Sequence, residues 1–156
     1  MHDPFFFTDE APGPPGTLLV LRGADAHHLT VVRRAKPGDG VRVSDGAGLV
    51  VEGRVSSVSP GAVEVERVAE RRVPAPSPRV RVLQGLAKGA KVDVVVQHLV
   101  ELGADEVVVF TSGRSVPRWD PPKRARMGAR WATVGREAAK QSRRPWLPLV
   151  SGPVGA

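Results

Sequence analysis

Residues 83–110, LQGLAKGAKVDVVVQHLVELGADEVVVF, leave this chain few ways to fold. Just before them, residues 79–83 alternate as Arg-Val-Arg-Val-Leu, the period-2 pattern of a strand. After Gly89, the apolar positions Val92, Val95, Val96, Leu99 and Leu102 recur at steps of three and four, which places them on one helical face. Gly103 suits a left-handed helix terminus because it carries no Cβ to clash there. Residues 106–110 are a β-branched and aromatic run of the kind found in buried strands. Strand, loop, helix and strand within about thirty residues define a βαβ unit, so the second strand is expected to run parallel to the first.

The flanks differ from one another. Upstream, residues 17–21, 41–43, 49–55 and 62–68 read as short strands, punctuated by Asp45-Gly46-Ala47-Gly48 and Ser59-Pro60-Gly61. That spacing predicts a small antiparallel barrel or sandwich. Phe5, Phe6 and Phe7 are a further short strand or an aromatic plug, and Asp25 is placed to cap a short helix through His27, His28, Leu29, Val32 and Arg33. Three prolines within 73–78 form a stiff extended linker. The expected organisation is therefore a β-rich module at 1–72, a linker at 73–78 and an α/β module at 79–156. Downstream, 124–141 has helical periodicity, with Met127, Trp131, Val134 and Ala138 as the buried stripe and Arg126, Arg130, Thr133, Glu137 and Lys140 on a polar face. Pro145 and Pro148 require that helix to stop near Ser142.

Charge is distributed unevenly. The formal net charge is +7, yet residues 111–156 hold ten Lys or Arg against two acids, a net of +8. All the basic excess lies in the last third, and a one-sided positive field of this kind attracts polyanions, nucleic acid above all. The alternative is a solvated helix face that only aids solubility. With no cysteine in 156 residues, disulfides, thiolate metal sites and thiol catalysis are excluded. No run approaches the length of a membrane span, and the N-terminus lacks the basic region of a signal peptide, so a cytoplasmic location is expected.

Motifs exclude more than they assign. His27 and His28 are neighbours and point to different faces, so no metal site is expected there; a structural or RNA-contacting imidazole fits better. Leu86-Ala-Lys-Gly-Ala-Lys91 puts two lysines in a glycine-bearing loop at the carboxyl end of a strand, the edge at which open α/β sheets bind ligands. It is not a phosphate-binding GxxxxGK[ST] loop, and no GxGxxG is present. Glu101 and Glu137 are helical carboxylates, Glu101 at the edge of an apolar face where a partner is needed. Ser112 and Ser115 have no His and Asp constellation around them.

Four segments in order carry a family resemblance. In HHLTVVRRAKPGDGVRVSDGAG the matching positions are His28, Leu29, Val32, Arg34, Gly38, Asp39, Asp45 and Gly46. In LAKGAKVDVVVQHLVELGA they are Leu86, Lys88, Gly89, Lys91, Gln97, Glu101, Leu102 and Gly103. Thr111, Arg114, Ser115 and Val116 follow, then Arg130, Trp131, Glu137, Ala138, Ala139, Gln141, Ser142, Arg144 and Pro148. Together these resemble the ribosomal RNA small subunit methyltransferase E family (RsmE) of the SPOUT superfamily. The resemblance implies a PUA-like RNA-binding barrel followed by an α/β knot domain. It implies S-adenosylmethionine-dependent methylation of a uridine N3 in 16S rRNA, by a homodimer. The RNA-contact candidates are Arg33, Arg34, Arg114, Arg130, Arg143 and Arg144, with Glu137 and Gln141 as supporting residues near the base. Leu86, Lys88 and Gly89 are weak cofactor-site candidates, and the general base has no candidate.

Departures are His98 where the family usually has Lys, Val100 where it has Thr, and Gly113 where an acid precedes Arg114. The family's GPEGG-type loop and its "LG.RILR.ETA" segment, which form the knot and most of the cofactor pocket, do not occur in the 156 residues. The expectation is therefore a truncated member that holds S-adenosylmethionine weakly and is inactive alone. A non-catalytic RNA-binding module and a dimeric scaffold with a solvated basic face are the rival readings.

Overall fold

The computed structural model describes residues 3–9, 13–87, 91–113 and 119–155, which divide into two compact units, Met1–Ala75 and Pro76–Ala156.

The first unit is built on a five-stranded sheet of order β1-β3-β4-β5-β2. Its strands are β1 (Phe5–Phe7), β2 (Leu18–Arg22), β3 (Gly40–Ser44), β4 (Leu49–Ser59) and β5 (Ala62–Arg72). The long β4–β5 hairpin turns at Pro60 and Gly61, where φ is +79° and a residue without Cβ is favoured. Asp45 closes the β3–β4 turn, its Oδ1 accepting from the amides of Ala47 and Leu49. Alternation does the rest: Leu19, Leu21, Val41, Val43, Val51, Val55, Val63 and Val65 all face one core with Leu29. β1 is a strand, and it pairs parallel with β3, where an all-antiparallel module was expected. β1 and β2 are the edges of this sheet among the described residues.

Between β2 and β3 the chain forms α1 (Gly23–His27) and runs directly into a π-helical turn, His28–Val32. The expected cap does not form. The N-cap residue is Arg22, with no side-chain bond, and Asp25 lies inside the first turn, where its charge favours the helix dipole instead. Ala26 and Leu29 anchor the segment in the core, which leaves Val31 and Val32 exposed.

The second unit has β6 (Arg81–Gly85), α2 (Lys91–Glu101), β7 (Glu106–Thr111), α3 (Pro121–Gln141) and β8 (Leu149–Gly155). β6, β7 and β8 form a parallel sheet in that order, so the βαβ expectation is met and a second crossover follows it. α2 buries Val92, Val96 and Val100 at four-residue steps. Leu102 was expected on that face and is instead 86% exposed, because the helix has already ended at Glu101. Gly103 takes φ +108°, and its amide bonds the Val100 carbonyl. Asp120 caps α3, its carboxylate accepting from the Lys123 amide, with Pro121 and Pro122 in the first turn. Trp131, Gly135, Ala138 and Ala139 are the buried residues of α3, while Met127 and Val134 are only partly covered. β8 was not expected from the sequence: Pro148 and Gly152-Pro153 read as breakers. Pro153 is tolerated because β8 is an edge strand of the sheet among the described residues, where one ladder donor is dispensable.

Candidate nucleic-acid interface

α3 and the residues leading into it concentrate the charge. Lys123, Arg124, Arg126 and Arg130 are all exposed on its first half. Asp93, the third residue of α2, meets the middle of α3: its Oδ2 accepts from Arg130 Nε at 2.7 Å, and its Oδ1 accepts from Trp131 Nε1 at 3.0 Å. At the other end of the pair, Arg144 reaches the carbonyls of Val100 and Ala104. The two helices therefore run side by side in the same direction. The nine residues of α3 before Arg130 extend past that junction, about 13 Å of helix at 1.5 Å per residue. Both helices begin on the side where the parallel strands end, the edge at which open α/β sheets bind ligands.

Trp119 stands at the foot of this projection. Its ring lies 6.1 Å from that of Trp131 at an interplanar angle of 32°, and the Lys123 ammonium is 5.2 Å from its centroid. Trp131 is 1% exposed. The sequence reading passed over Trp119, Lys123 and Asp93; the signal that could have found them is Trp119-Asp120-Pro-Pro, an aromatic set immediately before a helix start.

The candidates named from the sequence separate. Arg130 is exposed and bound to Asp93. Arg143 is exposed, with φ +55°. Arg144 is a correction: its side chain is 14% exposed and pairs with Asp105, itself 6% exposed, at 2.8 Å. With two carbonyls as its other acceptors, that guanidinium is committed to the fold and is not a surface cation for RNA. Lys140, assigned to the charged outer face of α3, is only 11% exposed and pairs with Glu137 at 2.8 Å. Gln141 is exposed beyond that pair. Glu101 is exposed and takes a hydrogen bond from Gln97 Nε2 at 2.8 Å, which supplies the partner it needed. Arg114, Lys88 and Gly89 lie outside the described residues.

In the first unit, Arg33 and Arg34 are exposed directly after the π-helical turn, Arg34 with φ +51°. Arg33 borders a cavity of about 340 Å³ floored by Leu29 and Val41, with Asp3 and Asp39 also on its lining. His27 and His28 are exposed, and the Phe6 ring meets His28 edge-on at 6.1 Å. Among the described residues no group of three or more His, Asp or Glu side chains is arranged to hold a metal.

At the strand-end edge, Leu86 is 8% exposed and its amide is already bonded to the Phe110 carbonyl. It offers an apolar wall with its donor spent. An adenosyl group needs donors and acceptors for its base and ribose as well, so Leu86 alone does not fit one.

A parallel α/β unit with a basic helix at its ligand-binding edge, preceded by a β-rich unit, has the makings of an RNA-handling protein. The chain belongs to the RNA methyltransferase domain family, whose family model matches residues 74–156, and the RNA methyltransferase PUA domain matches residues 21–66. It is 31% identical over 147 residues to the ribosomal RNA small subunit methyltransferase E of Mycobacterium bovis, covering 94% of this chain and 56% of that protein. With the Bacillus subtilis protein of the same name it shares 32% identity over 134 residues, 83% of this chain and 51% of the relative. The chain thus spans about half the length of the curated relatives it matches. The crystal structure of a ribosomal RNA small subunit methyltransferase E from Neisseria gonorrhoeae bound to S-adenosyl methionine superposes with a TM-score of 0.87 at 28% identity, covering 99% of this chain and 63% of that one. No helix among the described residues is long and apolar enough to cross a membrane.

Proposed function

We propose that this chain is the RNA-binding and base-presenting part of an S-adenosylmethionine-dependent methyltransferase that modifies a uridine N3 in 16S rRNA, working in the cytoplasm as a homodimer. The observation that carries the proposal is the exposed basic first half of α3 at the sheet edge, in a chain of the RNA methyltransferase family. In this reading the first unit is a PUA-like barrel, and the second is the opening portion of a SPOUT knot domain.

The chemistry sets what the protein must do. S-adenosylmethionine supplies an electrophilic methyl group on sulfonium. The uridine N3 is a weak acid, protonated near neutral pH, and in a helix it is hidden in the base pair. The base must therefore be drawn out of its RNA context and held in line for transfer. Lys123, Arg124, Arg126, Arg130 and Arg143 are exposed cations of the second unit assigned to phosphates, with Arg33 and Arg34 in the first. Phosphate contacts of this kind position the RNA without reading its sequence. Glu137 and Gln141 are assigned supporting roles near the base. Leu86 contributes one apolar wall of the cofactor site, with Lys88 and Gly89 as its neighbours in sequence.

The test is binding of this chain to small-subunit rRNA fragments over a salt series. Affinity falling steeply with salt, with a slope near −0.7 per phosphate contact on single strands, is the expected outcome. Weak binding that ignores salt would refute the reading.

A further inference from the structure

In the second unit, Trp119 is an aromatic side chain that the fold holds in place without hiding. The ring is half-buried, and it leans on Trp131 at 6.1 Å and 32°. Trp131 cannot shift, because its indole N–H is bonded to Asp93 and its ring is 1% exposed. Asp93 is held in turn by Arg130. The backbone of Trp119 is tied as well, its carbonyl accepting from Arg124 Nε at 3.1 Å. Four residues from α2 and α3 thus converge to fix one indole at the base of the basic projection. A core tryptophan needs no ring of cations around it. A solvated basic face needs no buttressed indole.

The combination is what single-stranded nucleic acid binding uses: a rigid aromatic face for a base, with cations spaced along the backbone on either side. The Lys123 ammonium already sits 5.2 Å from the Trp119 centroid, where it is attracted by the ring's negative face. Lys123 is exposed on a long side chain, so an arriving base can displace it sideways, toward the phosphate that the same nucleotide brings.

We infer that Trp119 is a stacking platform for one unpaired base of the RNA, with Lys123 as the contact to the adjoining phosphate. This deepens the RNA-binding reading and rests on it. The platform lies beside the strand-end edge, so the stacked nucleotide is the modified base or an immediate neighbour of it. Stacking is tolerant of sequence, because every base has a π face. The platform therefore serves to hold a splayed strand and does not select a letter.

The experiment titrates the chain with a single-stranded oligouridylate decamer, reading tryptophan fluorescence and affinity together. Wild type is expected to bind with quenching, since a base stacked on an indole quenches it. Trp119→Phe keeps an aromatic face and should bind within about threefold of wild type while losing most of the quenching. Trp119→Leu keeps apolar cover on Trp131 but has no π face, and should bind roughly 5- to 150-fold more weakly. Lys123→Gln should reduce the salt slope by about one contact. Unchanged affinity in Trp119→Leu, or unchanged quenching in Trp119→Phe, overturns the platform and leaves the RNA-binding reading intact. Failure of wild type to bind any RNA in a salt-sensitive way overturns both.

Discussion

Arg144 offers the sharpest test of the architecture, because a charge count assigns it to RNA and the structure assigns it to the fold. Its Nη1 donates to the Val100 carbonyl at 3.0 Å and the Ala104 carbonyl at 2.6 Å, and Nη2 donates to Asp105 Oδ1 at 2.8 Å. The other carboxylate oxygen of Asp105 accepts from the Val80 amide. One guanidinium therefore satisfies the end of α2 and locks the start of the sheet to it. Arg144→Met retains the length and the apolar stem but takes the guanidinium donors from the Val100 and Ala104 carbonyls and the cation from a carboxylate that is 6% exposed, leaving Val100 only the Gly103 amide. Breaking a buried pair from one side costs about 3–5 kcal/mol. A unit of this size has about 4–12 kcal/mol in total at 0.05–0.15 per residue, so the loss is a large share of it. At roughly 4–8 °C per kcal/mol, its melting temperature should fall by more than about 12 °C. Arg143→Met, one residue away and exposed, should shift it by no more than about 0.5 kcal/mol. Urea unfolding monitored by circular dichroism measures both. Pairing Arg144→Met with Asp105→Asn should recover part of the loss, since the two residues share one interaction. If Arg144→Met unfolds like Arg143→Met, the inward placement is wrong and Arg144 returns to the set of RNA contacts.

Three further outcomes follow from the same contacts. Replacing Lys123, Arg124 and Arg126 together by Gln should flatten the salt slope of RNA binding by up to about two units with little change in melting temperature; an unchanged slope would make the first half of α3 a solvated face. Lys140 and Arg130 are left out of that variant because their partners Glu137 and Asp93 would lose their charge compensation. Gly152→Ala should destabilise the second unit by about 2 kcal/mol or more, because a Cβ there would lie 2.2 Å from the Val109 carbonyl oxygen at φ +109°, and a melt within 1 °C of wild type would count against the β7–β8 register. Limited proteolysis should cut first within 73–78, where proline-rich backbone joins the two units; first cleavage inside 49–55 would contradict that boundary.

Periodicity makes the βαβ unit readable in the sequence, since a 3.6-residue stripe between two strand-like runs has few other solutions. The same signal erred by one position at Leu102, because the helix stops at Glu101 and the stripe does not. β8 was hidden by its own composition: Pro148, Gly152 and Pro153 punctuate a strand whose pairing with β7 supplies what local propensity denies. Asp25 looked like a cap because its residue type is right, but Gly23 begins the helix two residues earlier. The basic character of the last third was legible, and its distribution was not. Arg144 and Arg126 are indistinguishable as letters. Only the buried Asp105 carboxylate and the carbonyls at the end of α2 decide that one turns inward and the other outward. Trp119 was passed over for a related reason, as its meaning comes from Trp131, Asp93 and Lys123 arriving around it from two helices.

The central claim is that this chain serves N3 methylation of a uridine in small-subunit rRNA. Deleting the coding region for these residues and mapping 16S rRNA by nucleoside mass spectrometry and reverse transcription tests it most directly. A methyl at N3 blocks Watson–Crick pairing, so one reverse-transcription stop present in the parent strain should vanish on deletion, together with the N3-methyluridine of that position, and return on reintroducing the gene. An identical methylation map with and without the gene would contradict the account.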